Sequence, residues 1–151
     1  MNIKDIFTKN NIMFRPAEIP DTALFQSLPE SIADYLICMG KTIKLHETEY
    51  GSAWTVLYNI EEIQNCQETI CSKNNLLVIG SGLNGDLLTI NLKNCHIGYI
   101  FHDDLWEENY DKIEDIYCEL PFGIETFLHM AFEDDSYPID GTMAEEMNKT
   151  F

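Results

Sequence analysis

Apolar positions fall at helical spacing near the start of the chain and change to alternation further on. Ile3, Ile6 and Phe7 lie one turn apart and predict a short helix over residues 2–10. Pro16 and Pro20 then mark an irregular connection. In "SLPESIADYLICMG", Ile32, Tyr35, Leu36 and Met39 share one face, the clearest helical pattern in the chain. Ser27 is expected to cap this helix, with Pro29 in its first turn and Glu30 completing a capping box; Gly40 is suited to end it in a left-handed conformation.

The period then changes. "AWTVLYNI" (53–60) is rich in β-branched and aromatic residues and predicts a strand. "EEIQNCQETICSKN" predicts one short helix, with Ile63, Cys66 or Gln67, and Ile70 along one side. Three strand-like segments come next, at 76–79, 86–92 and 96–102. "GIETFLHMAF" then places Ile124, Phe127, Leu128 and Ala131 on one helical face. Beyond Ser136 the periodicity fades, so residues 1–136 are expected to form the domain and 137–151 a loosely attached acidic tail. Helices first, then neighbouring strands, then a helix indicate the α+β class: a single domain with a mainly antiparallel central sheet flanked by helices.

The segment "IGSGLNGD" tests whether an enzyme is at hand. Gly80, Gly82 and Gly85 match the G-x-G-x-x-G of a dinucleotide-binding turn, and Asp103 and Asp104 fall near the distance of a ribose-binding acid. A phosphate cradle needs a helix N-terminus immediately after it, because the helix dipole stabilises the phosphate charge. The residues after Gly85 are "DLLTINLKN", which alternate as a strand does. Asp86 would also set a negative charge where the phosphate belongs, and the 66 residues after Gly85 are too few for the rest of a dinucleotide fold. Asn84-Gly85 between apolar runs instead predicts a hairpin with a type I′ turn, both residues taking positive φ. No cofactor is expected.

Charge narrows the partners. The chain of 151 residues has 26 acidic and 9 basic side chains, a formal net charge of −17. Residues 101–151 alone hold 15 acids against 2 bases. Such a field argues against nucleic acid and anionic membranes and suits a basic partner or simple solubility. The N-terminus lacks the pattern of a signal peptide, and no apolar run approaches the ~20 residues of a membrane span. The five cysteines form no C-x-x-C pair, so reduced thiols in a cytoplasmic protein are expected, without a zinc site or disulfide framework.

Other candidate chemistry is sparse. "HDD" at 102–104 could ligate a cation, but neighbouring Glu107, Glu108 and Asp111 read better as an acidic surface loop, and calcium-loop spacing is absent. His46, His96, His102 and His129 are scattered, with no Ser or Cys in a nucleophile elbow, so no catalytic residue is assigned. Trp54 lies in an apolar strand and is expected in the core. Trp106, set among acids in "DDLWEENY", is either a hot spot for a protein partner or a lid on the sheet edge. The candidate partner-binding set is Asp86, Asp103, Asp104, Trp106, Glu107 and Glu108.

Four stretches in order carry a resemblance: "LPESIADYLICMG" (28–40), "WTVLYNIEEIQN" (54–65), "LVIGSGLNGDLLTINLKNCHIGYIFHDD" (77–104) and "LPFGIETFLHMAF" (120–132). Over residues 25–132 the chain resembles the SUKH superfamily (Smi/Knr-type domains). It departs from that pattern where the first helix ends in Met39-Gly40 rather than Asn-Gly. The resemblance implies a non-catalytic α+β domain. Bacterial members mostly act in the cytoplasm as immunity proteins against secreted toxins, many of them nucleases; eukaryotic members act as regulatory adaptors. The expected role is therefore neutralisation of a basic, nuclease-type toxin through an acidic surface. The alternatives are a regulatory or scaffold domain of the same fold and a small nucleotide-binding enzyme.

Overall fold

The computed structural model describes residues 2–134 and 136–151. Helix α1 spans Ile3–Lys9, capped by the Asn2 side chain, which accepts the Asp5 N–H at 2.9 Å. Its spaced Ile3, Ile6 and Phe7 are buried, as the pattern requires. Helix α2 spans Glu30–Leu36 and buries Ile32, Tyr35 and Leu36. Its start differs from expectation. Ser27 sits at φ 56°, Pro29 is the cap residue, and no side chain caps the helix. Gly40 does not take a positive φ either. Its N–H donates to the Arg15 carbonyl at 2.7 Å, and a Cβ there would lie 2.6 Å from the carbonyl oxygens of Arg15 and Pro16. This glycine is required by close chain approach rather than by a helix end.

Strands β1 (Ile43–Glu47) and β2 (Ala53–Leu57) form a hairpin. Helix α3 (Ile60–Asn65) opens with a capping box between Asn59 and Glu62, and α4 (Thr69–Lys73) comes after a break. The sequence suggests a single helix here; Gln67 explains the interruption. β2 pairs with β3 (Leu76–Gly82) only along Gly80–Gly82, which leaves the edge of β3 open at Val78. The Gln67 amide closes it. Its oxygen accepts the Val78 N–H at 2.9 Å and its nitrogen donates to the Val78 carbonyl at 2.8 Å, standing in for a strand residue.

The remaining elements are β4 (Leu87–Asn91), β5 (His96–Ile100), α5 (His102–Trp106), β6 (Tyr117–Gly123), α6 (Ile124–Glu133) and α7 (Gly141–Asn148). The fold is α+β: one six-stranded sheet, antiparallel throughout and ordered β1 to β6 as in the chain, with seven helices among the described residues. One sheet face buries Leu45, Leu57, Ile79, Leu88, Ile90 and Leu120 with α1, α2 and α6. The other holds a smaller cluster of Leu76, Val78 and Ile100 with Cys71, Leu105 and Ile116. Each such aliphatic side chain contributes about 1.5–3 kcal/mol on burial.

Both sheet edges are blunted. On β1, Lys44 is exposed and His46 takes φ 55°. On β6, Pro121 lacks an N–H, and Asn148 of α7 donates to the Glu119 carbonyl at 2.7 Å. A charge, a kink and a proline each discourage pairing with another strand.

Candidate functional site

An antiparallel meander sends alternate connections to the same end of its sheet. Here the β1–β2 turn (48–52), the β3–β4 turn (83–86) and the β5–β6 connection (101–116) share one end. The chain between α6 and α7 joins them, since the Leu83 N–H donates to the Ile139 carbonyl at 3.0 Å. These three connections contain nine acidic and one basic residue, whereas those at the opposite end (58–75 and 92–95) contain three and two. The excess of acid in the sequence thus becomes a spatial asymmetry through topology alone.

The β3–β4 connection is a hairpin, though not of the expected turn type. Gly85 takes φ 94° while Asn84 keeps an ordinary negative φ. The Gly85 N–H donates to the Gly82 carbonyl at 3.1 Å, and the Gly82 N–H to the Asp86 carbonyl at 2.8 Å, so a three-residue loop ends in a glycine bulge. The Asn84 side chain is therefore free to accept the Asp86 N–H at 3.0 Å. Gly80 and Gly82 serve close approach: a Cβ on the first would strike the Val56 carbonyl, and on the second the Ile139 carbonyl. The residues after Gly85 form β4, which is incompatible with the helix a phosphate cradle requires.

Asp86 is misplaced by a reading of the sequence as surface acid, because it is 2% exposed. One carboxylate oxygen accepts the His102 N–H at 3.0 Å and faces His102 Nδ1 at 2.6 Å. The other accepts the Gly141 N–H at 2.8 Å and the Asn84 amide at 3.2 Å. Burial works against the ionised form, but the bonds from His102, Gly141 and Asn84 outweigh it and hold the carboxyl below its ordinary 3.8. Asp86 therefore pins the β3–β4 turn, α5 and the start of α7 together. It supports the acidic end from beneath and is not a contact residue on it.

The other five candidates lie together on α5 and the turn after it. Asp103 is exposed and its carboxylate meets His102 Nε2 at 3.0 Å. Asp104 is half-buried and accepts the Asn109 amide at 3.3 Å. Trp106 is 58% exposed, so it is not a lid on the sheet. Glu107 and Glu108 are exposed, with Glu108 at φ 55° closing the turn. Neighbouring Asp115 has its carboxyl held below 3.8 by the backbone N–H groups of Asp111 and Lys112. Two residues at this end escaped the sequence reading: Tyr50, 89% exposed, and Leu83, 47% exposed. Their signal was available, since each is the one large apolar residue in its glycine-containing turn.

Residues after Ser136 dock onto the sheet instead of trailing from it. Tyr137 is buried, its hydroxyl 2.8 Å from Thr55 Oγ1 and its ring edge-on to Phe127. The Tyr99 hydroxyl donates to the Pro138 carbonyl at 2.7 Å, and Ala144 is buried in the core. Trp54, expected in the core, is half-buried and stacks on His46 at 4.8 Å, while His46 Nε2 lies 2.6 Å from the Ala131 carbonyl at the end of α6.

Both His102 ring nitrogens face carboxylates, and among the described residues no hydroxyl or thiol is hydrogen-bonded to that ring. No group of three or more His, Cys, Asp or Glu among the described residues is arranged to hold a metal ion. Depressions of about 410 Å³ beside Pro16, Pro20 and Gln64 and about 320 Å³ beside β1 lie elsewhere and are open. Cys38, Cys71 and Cys118 are buried, and burial pushes the Cys71 thiol up to about 12 and the Cys118 thiol to about 11. No helix among the described residues is long and apolar enough to cross a membrane. The chain matches no protein-family model, no curated protein and no solved structure.

Proposed function

We propose that this protein is a non-catalytic immunity protein of the SUKH type, which binds and neutralises a basic, nuclease-type toxin in the cytoplasm. The observation that carries the reading is the collection of acidic connections at one end of the sheet, with Trp106 exposed among them. A nuclease cleft is basic because its substrate is a polyanion, so an acidic protein surface can occupy it. A concentrated field of one sign also steers encounter, raising association rates by about 10–10³. Neutralisation then needs only stoichiometric occupation of the cleft. Residues Asp103, Asp104, Trp106, Glu107 and Glu108 are the proposed contacts, with Asp86 holding the turn and α5 that present them.

The test is co-expression with a toxin encoded beside this gene. Rescue of growth and co-purification of a one-to-one complex are expected. Failure of both removes the immunity reading.

A further inference from the structure

Acid alone does not make a recognition surface, and this end of the sheet carries more than acid. Among the described residues, five large apolar side chains stand exposed: Met13, Tyr50, Leu83, Trp106 and Phe151. Three of them, Tyr50, Leu83 and Trp106, sit on the three connections that share the acidic end. With strands spaced about 4.8 Å apart, successive connections in the meander lie roughly 10 Å from one another. That spacing fits within the ~800 Å² that one partner contributes to a standard interface.

Each of the three is also carried on a backbone already fixed by hydrogen bonds. Tyr50 rides a turn closed by the Thr48 N–H to the Ser52 carbonyl at 2.6 Å and by the Gly51 N–H to the Thr48 carbonyl at 3.0 Å. Leu83 is held by its own N–H to Ile139 at 3.0 Å. Trp106 ends α5, whose first N–H is bonded to buried Asp86 at 3.0 Å. An exposed aromatic or leucine on a rigid mount loses little entropy when a partner covers it. Interface energy is concentrated in aromatic anchors such as Trp and Tyr within a polar rim, where Leu83 adds apolar area between them, and aromatic rings also receive Lys and Arg cations on their faces.

We infer that Tyr50, Leu83 and Trp106 are the apolar anchors of one docking surface, and that its occupant is a partner segment bearing both Lys/Arg and apolar side chains. The inference rests on the acidic-end reading above and adds the anchors to it. Charge complementarity selects the occupant: a second copy of this chain would bring the same acidic end against itself, whereas a basic, partly apolar segment meets acid and anchors together.

Two peptide probes of equal charge and length separate acid from anchors: an oligolysine whose lysines alternate with Gly, and a peptide alternating Lys and Leu. Titrated into the ¹⁵N-labelled protein at fixed salt, the Lys/Leu peptide is expected to bind at least about tenfold more tightly, since covering one apolar side chain supplies about that factor. Its shifts should map to 48–52, 83–86 and 101–116. In Tyr50→Ala/Leu83→Ala/Trp106→Ala the advantage over oligolysine should fall to less than about twofold, the Lys/Leu peptide losing far more affinity than oligolysine. Equal affinity of the two peptides for the parent protein, or shifts centred on another face, overturns the anchors but leaves acid-driven binding standing. Absence of binding by either peptide overturns both readings. Self-association of the protein that is abolished by the triple substitution would assign the patch to a second copy, against this inference.

Discussion

Replacing Asp86 with Asn removes one charge, keeps the side-chain shape, and tests whether this residue is a pin or a contact. In the parent protein four donors converge on the carboxylate, two per oxygen. An amide keeps one oxygen. Whichever way it turns, its NH₂ group faces either the His102 pair or the Gly141 and Asn84 pair, all of them donors in this arrangement. Two charge-assisted bonds are lost at a site only 2% exposed. Bonds to charged groups contribute about 1.5–3 kcal/mol each, so Asp86→Asn should cost about 3–6 kcal/mol. With an unfolding entropy of about 2.1 cal/mol/K per residue, that lowers the melting temperature by roughly 10–20 °C.

The assay is thermal unfolding by circular dichroism, with amide exchange at Gly141 reporting whether the start of α7 is released first. The pH dependence follows from the same bonds. A carboxyl held below its ordinary value stabilises the fold above the unfolded pKa, about 3.9, and the contribution is lost as pH falls through the lower folded value. The difference between parent and variant should therefore be full above about pH 4 and shrink below it. A melting temperature within 2 °C of the parent, with Gly141 exchange unchanged, would refute the pin.

Two further substitutions probe how the fold presents this end. Gln67→Leu removes the amide that pairs with Val78, leaving its buried N–H without a partner and its carbonyl with only the Cys66 thiol at 3.9 Å; a loss of about 2–4 kcal/mol in urea unfolding is expected, and a loss under 0.5 would show that the amide is dispensable. Gly82→Ala drives a methyl into the Ile139 carbonyl; it should cost about 1–3 kcal/mol and remove exchange protection at the Leu83 N–H, and retained protection would contradict the close approach.

How much of the fold the sequence disclosed depends on how local each cause is. α2, β2 and α6 bury one face and β3 to β5 bury both, so their apolar pattern is written in adjacent residues. Strand β1 was missed because only Ile43 and Leu45 of its five residues are buried and His46 leaves extended geometry. Strand β6 was hidden by Pro121, tolerated because this strand is an edge. Helix α7 buries only Gly141 and Ala144, too little to leave a period. The acidic stretch at 103–108 was legible because its composition is contiguous, although residues up to Trp106 form helix α5 and not the expected loop. Asp86 was not, because its burial is created by His102 and Gly141, 16 and 55 residues further along the chain. The same distance effect hid Tyr50 and Leu83, which join Trp106 only once the meander brings alternate turns to one end.

If this end binds a basic partner as proposed, the association rate of the partner that co-purifies with this protein depends on ionic strength. For the parent protein the rate should fall steeply between about 20 and 200 mM salt, as steering is screened over a Debye length of about 10 Å at 0.1 M. Asp103→Lys/Asp104→Lys should associate at least about tenfold more slowly at low salt and lose most of that dependence. A parent rate independent of salt, or a double variant with the parent's rate and slope, would rule out binding through the acidic end.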